Sequence, residues 1–206
     1  MELVSVPAVL ALHDAILRAW HADPASAEAV AASEGGAAAE PALARTIGRQ
    51  HLVNTRLWHE EDEARRTDVP DGTIAGSKRR IDRLNQERND LVERMDETLA
   101  GRLPAADSGA PLHSETPGAI VDRLSVLALK EYHMEEESRR EDADGAHREA
   151  CARRLAILRE QRADLAGCLT DLLDELAAGR RRFRLYRQFK MYNDPATNPA
   201  LRKGSR

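Results

Sequence analysis

The feature that most constrains this chain is a repeat of its own sequence. Adding 74 to each residue number, without a gap, carries Trp58-His59 onto Tyr132-His133 and Glu61-Asp62-Glu63 onto Glu135-Glu136-Glu137. The same shift carries Arg65-Arg66 onto Arg139-Arg140, Leu84 onto Leu158, Arg88 onto Arg162 and Asp90-Leu91 onto Asp164-Leu165. Each copy holds two stretches with apolar residues three and four apart, the period of an amphipathic helix. Two related helical hairpins, each burying its stripes against the other, satisfy that pattern. The expected fold class is all-α: an antiparallel helical bundle of two hairpins, with an N-terminal helix and a basic C-terminal arm packed on it.

Composition agrees with helix. Ala, Leu, Arg and Glu dominate, and only seven of the 206 residues are aromatic. The formal net charge of −4 provides no global attraction to nucleic acid. No stretch reaches the roughly 20 apolar residues that cross a bilayer. The opening MELVSVPAVLALHDAIL has no basic leader before its apolar residues, so a cytoplasmic placement is expected. Cys151 and Cys168 show no metal or redox spacing and read as small side chains of one helix.

The expected organisation is one domain over residues 1–206. A first helix covers 7–20, with Pro7 in its opening turn and Val9, Leu12, Ile16 and Ala19 on one stripe. Residues 22–44 are rich in Ala, Glu and Gly and are expected to be partly linker. The first hairpin, 45–100, pairs helices over about 43–67 and 73–100 across a turn at Pro70 and Gly72. The second hairpin, 114–179, has Thr116 as N-cap, Pro117 in the first turn and Gly179 as its stop. Its helices are expected to end near 142 and to run from about 146 to 178. The arm, 180–206, has six basic residues in the eleven from Arg180 to Lys190, with Phe183, Tyr186, Phe189 and Tyr192 three apart. Asn193-Asp194-Pro195 and Asn198-Pro199 read as turns.

Arg88 and Arg162 carry the most chemical information. Each occupies a place in an apolar repeat where Leu is expected, and a guanidinium there needs an anion. One expectation is a structural bridge: Arg88 to Glu60 or Glu61, Arg162 to Glu135 or Glu136. The other is a ligand site in the groove between the first hairpin's helices. There Glu60, Glu61 and Glu63 are the candidate ligands of a Mg2+ ion, with Glu61 and Asp82 in catalytic roles. Lys78, Arg79 and Arg88 are candidate phosphate contacts, and His59, Asn85 and Asn89 candidate orienting residues. His59 and His133 lack the Glu three residues before them that a carboxylate-bridged metal pair requires, because Arg56 and Lys130 stand there. Partly buried histidines bonded to a carboxylate are expected instead. Thr116-Pro117-Gly118 offers backbone N–H groups to an anion, with ordinary capping the commoner use.

The words HEEDEAR, KRRIDRLNQERNDL, SETPGAIVDRLSVLALKEYHM and QFKMYNDPATNP, in that order, resemble a bacterial family of about this length with no assigned function. The resemblance implies an all-α protein and an association with cell-envelope polysaccharide or sugar-nucleotide systems. A looser likeness is to the all-α nucleoside triphosphate pyrophosphatases, which hold magnesium on a nucleotide through EExxE and ExxD motifs. Glu60-Glu61-Asp62-Glu63 stands near the first, and Asp82-Arg83-Leu84-Asn85 departs from the second. The expected function is binding of a phosphorylated small molecule, a nucleotide or nucleotide-sugar, with Mg2+-dependent hydrolysis as its extension. The rival is a non-catalytic interaction protein whose arm docks a partner such as an envelope-biosynthesis enzyme. The exposed parts of the stripes are compatible with closure within one chain or across a homodimer.

Overall fold

The computed structural model describes residues 4–33, 40–187 and 195–202. Its helices are α1 (Val6–Ala22), α2 (Pro24–Ala32), α3 (Pro41–Glu63), α4 (Asp71–Ala100), α5 (Pro117–Arg139) and α6 (Gly145–Ala177). The chain is all-helical, with α3–α4 and α5–α6 as the two most extensive antiparallel pairs. α5 is central and touches α1, α3, α4 and α6.

Local chemistry sets the helix starts. The Asp23 side chain accepts from the Ala25 and Ser26 N–H groups at 3.2 and 3.1 Å, opening α2. Thr116 Oγ1 accepts from the Ala119 N–H at 3.2 Å with Pro117 in the first turn, and Asp144 accepts from the His147 N–H at 2.7 Å. Gly179 follows α6 with φ of 70°, a left-handed conformation that suits glycine. α3 ends at Glu63 and α5 at Arg139, three to four residues short of the expected 67 and 142. After α3 the Arg65 and Arg66 N–H groups turn back to the Asp62 and Glu63 carbonyls.

The segment expected to be partly linker contains α2. Alanines make its inner face, with Ala27 and Ala31 buried, so its backbone packs close to α3. Gly48 of α3 permits that approach, because a Cβ there would lie 2.4 Å from the Ala31 carbonyl oxygen. Residues 34–39 of the same stretch lie outside the described residues.

One main core draws on all six helices: Val9 and Ile16 of α1, Ala27 of α2, Ile47 and Leu52 of α3, Met95 of α4, Leu124 of α5 and Leu169 of α6. A satellite of Val53, Leu57, Ile81 and Leu91 seals α3 against α4. Another, Leu17, Ala128 and Leu129, is flanked by Trp58 and Tyr132.

The arm straps the ends of the hairpins together. His113 N–H donates to the Arg182 carbonyl at 2.8 Å, Phe183 packs on the main core, and Arg187 bonds Glu93 at 2.7 Å and also Glu97 on α4. Tyr186 is exposed. Lys190, Phe189, Tyr192 and the Asn193-Asp194 turn lie outside the described residues. Asn198 caps the short helical turn Pro199–Leu201.

The buried Arg162 and the half-buried Arg88 both find acids, but not the expected ones. Arg162 donates to Glu131 at 3.2 Å, to Asp14 at 2.7 Å and to the Leu10 carbonyl at 3.2 Å, in place of Glu135 or Glu136. Arg88 pairs with Asp122 of α5, in place of Glu60 or Glu61. Antiparallel register explains both. Arg80 meets Glu60, so Arg88, eight residues or about 12 Å further along α4, lies two turns nearer the start of α3. Arg159 already faces Glu131 and Glu135, so Arg162 faces a level further from the α5 C-terminus.

Candidate functional site

A groove of about 350 Å3 opens where α3, α4 and α5 meet. Its α3 wall is Asn54, Leu57, Trp58, Glu61 and Asp62, residues three and four apart and therefore one helical face, with Arg65 just beyond the helix end. Asn85 and Arg88 supply the α4 wall, and Val126 and Leu129 the α5 wall.

The floor is a buried polar network. Asp122 Oδ1 accepts from Gln50 Nε2 at 2.5 Å, Asn54 Nδ2 at 3.0 Å and Arg88 Nε at 2.7 Å, while Oδ2 accepts from Arg88 Nη2. Asn54 Nδ2 also donates to Ser125 Oγ at 2.8 Å, and Ser125 Oγ lies 2.7 Å from His51 Nδ1. Behind it His13 stacks on His51 with ring centroids 4.3 Å apart. Burial holds both imidazoles below their ordinary pKa, His51 at about 3. The network ties α3, α4 and α5 together through Asp122, while Gln50 Oε1, His51 Nε2 and both His13 ring nitrogens are buried without a hydrogen-bond partner among the described residues. Its consequence for the groove is a fixed guanidinium. The hydrogen bonds to Asp122 raise the pKa of Arg88 and occupy its Nε–Nη2 edge. Nη1 makes no hydrogen bond to a described residue.

Of the residues singled out from sequence, Glu61, Asn85 and Arg88 line the groove. Glu60 instead pairs with Arg80 at 2.7 Å and Glu63 with Arg66 at 3.1 Å. Successive helix residues are rotated by about 100°, so positions 60, 61 and 63 cannot face one groove together. Among the described residues these three carboxylates form no group with ligand-atom spacing. Asp82 pairs with Lys78 along the surface of α4, Arg79 is exposed, and Asn89 lies outside the groove lining. Sequence reasoning missed Gln50, Asp122 and Ser125 as its floor. The available signal was an acid inside the apolar run Ile120-Val121-Asp122-Arg123-Leu124.

The N-terminus of α5 is occupied by the protein itself. Gly118 N–H donates to Asp96 Oδ1 at 2.7 Å, and burial pushes the Asp96 carboxyl up to about 6.

His59 joins a second constellation above the groove. His21 of α1, His59 of α3 and His133 of α5 each place one ligand atom within 4.8 Å of the others. His133 Nδ1 is bonded to Glu136 at 2.8 Å, the carboxylate-bonded histidine expected from its acidic surroundings. Trp58 touches both places: it lines the groove and stacks on His133 at 5.0 Å.

No helix among the described residues is long and apolar enough to cross a membrane. No curated protein and no solved structure matches the chain. Residues 44–185 match the model of a family described as Protein of unknown function (DUF4254), a span that holds every groove residue together with His59 and His133. That span is more than half of the chain, and the protein belongs to the DUF4254 family.

Proposed function

We propose that this chain is a cytoplasmic binding protein for a phosphorylated small molecule, a nucleotide or nucleotide-sugar, taken with Mg2+ into the α3–α4–α5 groove. The observation that carries the reading is Arg88: Asp122 holds one edge of its guanidinium and leaves Nη1 for a ligand anion. The groove volume, about 350 Å3, lies within the roughly 300–1,000 Å3 of small-molecule sites. Asn85 and Asp62 line it without a side-chain hydrogen bond to any described residue. Glu61 and Asp62 supply hard carboxylate oxygens to the Mg2+, in place of the set Glu60, Glu61 and Glu63. Asn85 orients the ligand. Hydrolysis, where it occurs, uses the ion to neutralise phosphate charge and activate water. Lys78, Arg79, Asp82 and Asn89 have no part in this version of the site.

The test is thermal unfolding with Mg2+ and a panel of nucleotides and nucleotide-sugars, on the wild type, Asn85→Ala and Asp62→Asn. One ligand class is expected to raise the melting temperature, by the equivalent of about 2.7 kcal/mol at a hundred times its Kd. Both variants, which lose no internal partner, keep the ligand-free melting temperature and lose most of the rise. Melting curves that stay flat across the panel sink the reading. They then favour a non-catalytic interaction protein, which one observation supports: an apolar groove of about 550 Å3 between α5 and α6, with Met134, Leu158 and the exposed Ile157 on its walls.

A further inference from the structure

We propose that His21, His59 and His133 form a binding site for one Zn2+ ion, with three imidazole ligands and a fourth position open to solvent. The site lies beside the ligand groove without any of its three histidines lining it, and Trp58 borders both. It draws on three helices that are far apart in sequence, α1, α3 and α5.

Spacing is the first support. One nitrogen of each ring lies within 4.8 Å of the other two. A tetrahedral ion with Zn–N bonds of about 2.0–2.1 Å separates its nitrogens by about 3.4 Å. A shift of less than about 1 Å by each ring closes the difference.

The tautomers come next. His21 Nδ1 bonds the Leu17 carbonyl at 2.9 Å, one helical turn back, and His133 Nδ1 bonds Glu136 Oε2 at 2.8 Å. A ring that donates its Nδ1 proton presents a lone pair at Nε2. Backbone carbonyls and carboxylates hold metal-bound histidines in this way. The remaining ends of the rings have nothing to bind: His59 Nε2 and His133 Nε2 are buried without a hydrogen-bond partner among the described residues. A buried polar atom in that condition is costly, and a metal ion satisfies it.

Ring orientation separates this cluster from ordinary histidine packing. His13 and His51 lie face to face, 21° between planes, and cannot aim their nitrogens at a shared point. In the cluster the interplanar angles are 59° for His21–His59, 67° for His21–His133 and 86° for His59–His133. Rings arranged around a common centre are splayed like this. Each is backed by its own aromatic face: Tyr132 on His21 at 4.3 Å, Trp20 on His59 at 5.6 Å and Trp58 on His133 at 5.0 Å. The stacks fix the rotamers before an ion arrives, as a preorganised site requires.

Charge is consistent with the ligand role. Asp62 and Glu136 stand close enough to His59 to supply compensating charge for a cation. Three nitrogen donors without an oxygen ligand select Zn2+ and its transition-metal neighbours over Mg2+ or Ca2+. His21 is exposed and provides the ion's route of entry.

The experiment uses the full chain, stripped with EDTA and titrated calorimetrically with ZnCl2, with CoCl2 as an optical probe. One Zn2+ per chain is expected, a tetrahedral Co2+ spectrum that Zn2+ abolishes, and no displacement by MgCl2. His21→Ala, at an exposed position, is expected to weaken Zn2+ by at least tenfold. His59→Ala and His133→Ala, with folding checked by circular dichroism, remove the Co2+ spectrum. Glu136→Gln removes the acceptor of His133 Nδ1 and a negative charge near His59, and is expected to weaken affinity about 10- to 100-fold while the stoichiometry stays at one. His147→Ala, on α6, leaves binding unchanged. Absence of a stoichiometric ion overturns the proposal, as does a His21→Ala protein that binds Zn2+ like the wild type.

Discussion

Asp96 shows how one buried side chain can make stability depend on pH. It lies on α4 with its carboxylate against the first turn of α5, where Gly118 N–H donates to it. No larger residue fits at position 118, since a Cβ would stand 2.8 Å from Asp96 Oδ1 and 2.9 Å from the Val92 carbonyl oxygen. Burial raises the Asp96 pKa from 3.8 to about 6, and the hydrogen bonds from Thr116 and Gly118 only partly oppose it. The folded chain therefore holds this proton more tightly than the unfolded chain. The resulting stabilisation is complete below the unfolded pKa and is lost as pH rises through about 6. Asp96→Asn cannot titrate. Urea unfolding of both proteins from about pH 4 to about pH 7 is expected to show the wild type losing up to about 3 kcal/mol relative to the variant. Equal slopes in the two proteins contradict this. At this scale the sequence was legible where a residue broke a pattern, as Arg88 does among leucines. It was silent on Asp96, whose partner is the backbone of another helix.

Helix packing turns on small residues that sequence patterns undervalue. The alanine-rich face of α2 carries little amphipathic signal, and from sequence it resembles linker. It is a helix because Asp23 and Pro24 start it and because Gly48 lets it lie against α3. Gly48→Ala puts a methyl group 2.4 Å from a backbone oxygen, and neither side can yield by changing a rotamer. The helices must separate, at an expected cost of about 1–3 kcal/mol. Denaturant unfolding measures the loss, and hydrogen exchange is expected to show it most strongly in α2. The helices of the hairpins were far more legible than α2. Their apolar stripes, Thr116-Pro117 and Gly179 mark spans and ends within a few residues.

For the whole molecule, neither hairpin is self-sufficient. The acid for Arg88 is Asp122, from the second hairpin, and Arg162 is completed by Asp14 of α1. The main core likewise takes residues from every helix. Fragments covering residues 40–103 and 110–180 are each expected to show far less helical circular dichroism than the intact chain, with helicity recovered on mixing. A fragment that folds cooperatively alone contradicts this. By itself the sequence determined α1, the four hairpin helices and their order, though not α2, because period, caps and breakers act over a few neighbouring residues. It also required that two arginines on apolar stripes meet acids. Which acids, which face of α3 opens to the groove, and that His21 meets His59 and His133 were decided only by tertiary structure. Those outcomes depend on the rotation and register of helices distant in the chain, and these follow from the sum of many packing contacts.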